Sequence, residues 1–96
     1  MDAPAEPELV AQATICNRRG LHARAAAKFV SMAEQYTAVI EVAAHGQSVS
    51  AQSIMGLMML GAGKGTTLDL QATGADAAAA LAALVGLVEA GFYEQD

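Results

Sequence analysis

The sequence is poor in several kinds of residue, and each shortage excludes something. There is one cysteine, Cys16, so no disulfide can form within the chain. Two histidines and one cysteine cannot supply a metal cluster of the zinc-finger kind, and no metal or other cofactor is expected. Tryptophan is absent, and two Phe and two Tyr make up only 4% of the chain, so the core must rest on Leu, Val, Ile, Met and Ala. Cations are scarce. Five Lys and Arg stand against ten Asp and Glu, a formal net charge of −5, which denies the chain the broad basic face that nucleic acid needs. The longest apolar run, Ala77 to Val88, falls short of the ~20 residues of a membrane span, so no membrane insertion is expected. The N-terminal MDAPAEPE has neither a basic region nor an apolar one, so it does not read as a signal peptide, and a cytoplasmic location is expected.

What remains is enough for one domain. The chain has 96 residues, 54% of them hydrophobic. Residues 1–7, with both prolines, read as a disordered tail, residues 8–92 as the domain and residues 93–96 as a C-terminal tail. From Leu9 to Ile15 apolar and other residues alternate, the period of a half-buried strand. After His22 the period changes. Ala26, Phe29, Val30 and Ala33 share one helical face, with Arg24, Lys28, Ser31 and Gln35 opposite, and the helix should end near Gln35. Alternation returns over Thr37 to Ala43, followed by a His45-Gly46-Gln47 turn and a third strand over Gln47 to Ala51. Ser53 is placed to cap a two-turn helix over Ile54 to Leu60. A glycine-rich break leads into a fourth strand, Thr66 to Ala72. Asp76 is placed to cap a last helix with Ala77, Leu81, Leu84 and Val88 on its apolar face, ending at Gly91. The order β-α-β-β-α-β-α predicts an α+β fold, a four-stranded antiparallel sheet covered on one face by three helices.

Four of the five cations crowd into residues 18–28, RRGLHARAAAK. Arg18, Arg19, Arg24 and Lys28 surround His22, which should be exposed at a helix start. A neutral imidazole is nucleophilic near neutral pH. The first N–H groups of a helix lack intrahelical partners and, with the helix dipole, favour an anion. Arg24 can add a planar fork of donors for phosphoryl oxygens. Residue chemistry alone leaves two readings open, a phosphoryl acceptor or a histidine that only caps the helix.

Gly20-Leu21-His22-Ala23-Arg24, followed by Ala26-Ala27, resembles the active-site signature of the HPr family, the histidine-containing phosphocarriers of the phosphoenolpyruvate-dependent phosphotransferase system. A second block, Ser53 to Gly61, resembles the serine-site helix of that family. The resemblance covers about residues 9–90 and implies an open-faced β-sandwich. It further implies that His22 takes a phosphoryl group on Nδ1 from enzyme I and hands it to an enzyme IIA, with Arg24 stabilising the group. The chain would then be a carrier without turnover of its own. A regulatory variant of the family, nitrogen-type or catabolite-control, is the alternative. In that variant the phosphorylation state controls binding partners and not sugar transport. Where the family usually has proline after the arginine, this chain has Ala25. A looser helix start around an intact site is expected.

Ser53 reads as an N-cap. The resemblance adds a regulatory phosphorylation site for an HPr kinase/phosphorylase. Ile54, Met55, Leu57, Met58 and Met59 cannot all face inward on two turns. Either part of this set is exposed for docking, with Ile54, Met55 and Met58 joined by Arg19 and Lys28, or the set packs into a thin core. Gly61-Ala62-Gly63-Lys64-Gly65 lacks the spacing of a phosphate loop and reads as a turn. His45 reads as a solvated turn residue and Cys16 as a partly buried one. A monomer is expected.

Overall fold

Alternating burial along four segments builds the sheet in the computed structural model, which describes residues 8–94. The strands are β1 (Leu9–Thr14), β2 (Val39–Ala44), β3 (Gln47–Ser50) and β4 (Thr67–Thr73). The helices are α1 (Ala23–Ala33), α2 (Ile54–Met59) and α3 (Ala77–Glu89), with a 3₁₀ turn at Gly91–Tyr93. The expected tail over residues 1–7 lies outside the described residues. All strand pairs are antiparallel, in the order β1-β4-β2-β3. The strand latest in sequence thus fills the middle of the sheet, between β1 and β2.

One sheet face carries Ala13, Ile40, Val42, Leu68, Leu70 and Ala72, all buried under the helices. The other face is open and mostly polar, with Val10 and Val39 exposed on it. Gln12 Nε2 donates to Asp69 Oδ1 at 2.7 Å across the register, and Thr14 and Thr67 hydroxyls meet at 2.9 Å. Such cross-strand pairs hold a solvated face together without a second sheet. At the β2–β3 hairpin His45 and Gly46 both take positive φ, 52° and 78°, the twist that a two-residue hairpin turn requires.

α1 buries Ala25, Ala26, Phe29, Val30 and Ala33, the periodic face expected, and ends two residues before Gln35. Gln35 and Tyr36 then bond back to Met32 and Ala33 in a tighter turn. The fully buried Phe29 ring is an anchor of about 1.5–3 kcal/mol. α3 presents Ala77, Leu81, Leu84 and Val88 inward, as the spacing implies. Asp76 departs from expectation. It precedes α3 but makes no side-chain cap; its carboxylate accepts from the Thr37 and Ala38 N–H groups, both at 2.8 Å. The loop before β2 takes up the oxygens that capping would have used. Those bonds, led by that from Thr37, hold the Asp76 carboxyl below its ordinary range despite some desolvation.

Candidate functional site

The loop between β1 and α1 brings His22 to the start of α1 by a close backbone approach. Gly20 has φ +66°, and a Cβ there would lie 2.6 Å from Ala62 O. Only glycine fits, and the contact lets Leu21 N–H donate to Ala62 O at 2.9 Å. Asn17, buried beneath the loop, donates from Nδ2 to Gly20 O at 2.8 Å. The His22 loop is therefore fixed to the segment that follows α2, and α1 and α2 pack together.

His22 is the N-cap residue of α1. Its backbone is extended and its carbonyl accepts the first helical bond from Ala26 N–H at 2.8 Å. No side chain caps the helix, so the first-turn N–H groups remain without a capping partner at the site. The imidazole is not exposed as expected. It is half-buried, with 21% of the side chain accessible, because Nε2 pairs with Glu94 Oε2. Glu94 Oε1 accepts from Asn17 Nδ2 at 3.0 Å. An ionised carboxylate only accepts, so Nε2 is the nitrogen that carries a proton in this pair, and whenever the ring is neutral the lone pair is on Nδ1. Burial opposes the charge on Glu94. The hydrogen bonds from His22 and Asn17, with the positive charge of Lys28 and that of His22 whenever its ring is protonated, outweigh it and hold the carboxyl below its ordinary range.

Glu94 is the site residue that sequence reasoning missed, and it lay within the stretch read as a tail. After α3 the chain does not leave the body. Gly91, Phe92 and Tyr93 all take left-handed φ values of 65°, 56° and 58°. For Phe92 and Tyr93 that conformation is strained and needs outside contacts to persist. Those contacts exist: the Phe92 ring is fully buried, and Lys28 Nζ donates to Phe92 O at 2.6 Å. Phe92 was the available signal, since a phenylalanine directly after a helix-ending glycine belongs in a core.

Arg19 and Arg24 are exposed. Arg24 borders a groove between α1 and α3 that Lys28, Ser31, Met32, Leu87 and Tyr93 also line. Among the described residues Arg24 makes no ion pair. Ala25, at the position of the usual proline, is buried against the core. Cys16 is exposed, not partly buried, and its thiol donates weakly to Glu89 O at 3.4 Å.

Ser53 caps α2 as expected: its Oγ accepts from Gly56 N–H at 2.9 Å. Of the apolar residues that follow, Leu57 and Leu60 are buried, whereas Ile54, Met55, Met58 and Met59 are exposed. The packed-core reading of the whole set does not hold. No group of His, Cys, Asp and Glu that could hold a metal occurs among the described residues, and none of their helices is long and apolar enough to cross a membrane.

Comparison with known proteins gives the family. The family model described as the PTS HPr component phosphorylation site matches residues 9–90. A phosphocarrier protein NPr of Shewanella violacea is 46% identical over 87 residues, covering 91% of this chain and 96% of the relative. A phosphocarrier protein HPr of Pseudomonas aeruginosa is 50% identical over 82 residues, covering 84% and 91%. The crystal structure of HPr-C-His from Thermoanaerobacter tengcongensis superposes with a TM-score of 0.86 at 41% identity, covering 92% of this chain and 99% of that one. The fold and these matches, each over most of both chains, place this chain in the HPr family of phosphocarrier proteins.

Proposed function

We propose that His22 accepts a phosphoryl group on Nδ1 from phosphorylated enzyme I and passes it to an enzyme IIA of a phosphoenolpyruvate-dependent phosphotransferase system. The observation that carries this reading is the His22–Glu94 pair at the uncapped start of α1. With the Nε2 proton directed to Glu94, Nδ1 has no proton to lose. Its lone pair forms the new N–P bond while the bond from phosphorus to the donor breaks and leaves its electron pair on the donor. No general base is needed on the carrier. The ring gains positive charge as the bond forms, and the Glu94 carboxylate offsets it. Arg24, free to swing from the first turn, supplies charge-assisted donors to the phosphoryl oxygens.

The docking surface on this reading is Ile54, Met55 and Met58 with Arg19. Lys28, whose ammonium holds the Phe92 carbonyl, serves the site from beneath as well as the partner. Ser53 is a regulatory phosphorylation site for an HPr kinase/phosphorylase, because its hydroxyl stands next to that apolar surface. The carrier works in the cytoplasm as a monomer. A purely regulatory use of the same phosphohistidine differs only in the acceptor.

Incubation with enzyme I and radiolabelled phosphoenolpyruvate, followed by addition of candidate enzyme IIA proteins, tests the proposal. The wild-type chain should take up acid-labile phosphate and lose it to an acceptor. His22→Ala should take up none while keeping its circular dichroism spectrum. Acid-labile label on the folded mutant would refute the assignment.

A further inference from the structure

The side chains of α2 divide by chemistry as well as by direction. The positions that anchor the helix are leucines, Leu57 and Leu60, both buried. Three of the exposed positions are methionines: Met55 and Met59 are each 70% accessible and Met58 42%. They stand at i, i+3 and i+4, so their thioethers share one helical face. Met32, by contrast, is half-buried between α1 and the core. The oxidisable sulfurs of α2 are therefore on the outer surface, and the residues that fix the helix to the fold are inert to oxidants.

From this division we propose that Met55, Met58 and Met59 form a peroxide-sensitive modification site that switches off partner docking and leaves the fold intact. The inference rests on the carrier reading of the α2 surface. In each step a thioether sulfur attacks one oxygen of hydrogen peroxide. The O–O bond breaks, the sulfur is oxidised to a sulfoxide and the peroxide is reduced to water. The product is a polar, chiral S=O group in place of a flexible apolar side chain. An apolar docking face would acquire three strong acceptors that a partner must desolvate. Leu57, Leu60 and the Ser53 cap are untouched, so α2 stays in place. Reduction of the sulfoxides by a methionine sulfoxide reductase reverses the change.

The test uses the full chain carrying Cys16→Ser, which removes the exposed thiol as a competing target. Phosphate uptake from enzyme I is measured first on untreated protein. Failure at that stage would overturn the carrier reading itself, before any oxidant is added. After graded hydrogen peroxide, peptide mass mapping should place the first sulfoxides, about 16 Da each, on Met55, Met58 and Met59 ahead of Met32. The rate of His22 phosphorylation should fall roughly tenfold or more, with the thermal unfolding midpoint retained, and the two methionine sulfoxide reductases together, one for each sulfoxide epimer, should restore the rate. The triple variant Met55→Leu, Met58→Leu, Met59→Leu is compared only with itself, treated against untreated. Its ratio should stay near one whatever its starting rate. Two results would overturn the inference: a triply oxidised protein that accepts phosphate at its untreated rate, or a triple-leucine variant that loses rate by the same factor as the parent.

Discussion

Arg24 places a positive charge in the first turn of α1, where the helix dipole favours an anion. No acidic residue accompanies it in that turn. Such a placement costs about 0.3–1 kcal/mol in an exposed helix, and it makes sense where the turn must also hold a transient anion. Stability and function should therefore separate at this residue. Arg24→Ala should leave stability unchanged or slightly higher in urea unfolding. In single-turnover transfer from enzyme I it should slow the phosphoryl step by roughly 10²–10³, the usual effect of losing one charge-assisted donor at a transition state. An unchanged rate with a raised KM would instead make Arg24 a docking residue. His22 shows the complementary case. Its neighbours along the chain left a phosphoryl acceptor and a helix cap both open, and its closest partner is Glu94, 72 positions away.

At the scale of elements, what could be read from the sequence was whatever repeats locally. The strands alternate and α1 and α3 carry periodic stripes, so their positions emerged within a residue or two. Ser53 followed by an apolar run was likewise sufficient to place the cap of α2. Asp76 was misread because a favoured cap residue cannot reveal that the Thr37 and Ala38 N–H groups will compete for it. Glu94 and the left-handed turn before it carry no period at all, since their placement is set by contacts with α1 and the Asn17 loop. The cap of α2 offers its own test. Ser53→Asp retains an oxygen for Gly56 N–H and adds a negative charge where the dipole of α2 favours it, so the thermal midpoint should hold or rise slightly. On the proposed reading uptake of phosphate by His22 should nonetheless slow, because the carboxylate borders Ile54 and Met55 on the proposed docking face. Wild-type uptake would leave Ser53 as a cap only.

For the molecule as a whole, two carboxylates tie distant parts of the chain together, and both are held below the ordinary carboxylate range. A depressed pKa contributes stability that is present above the unfolded value and is lost as pH falls through the folded one. Urea unfolding should therefore show little change from neutral pH down to the ordinary carboxylate range. Below it the midpoint should drop as Asp76 and Glu94 bind protons. Glu94→Gln should remove its share of that acid slope and leave the share of Asp76. An identical slope in the variant would show that the Glu94 pair adds nothing to stability. The sheet order bears on how the chain reaches this state. β2 and β3 adjoin through a two-residue turn and can pair at once, whereas β1 waits for a partner more than fifty positions away, and that partner must also pair with β2. Closing so long a loop is entropically unfavourable until β4 docks. Insertion of β4 is thus expected to limit the folding rate. In stopped-flow refolding, substitutions in β4 that weaken its pairing with β1 and β2 should slow folding more than substitutions in β3 do.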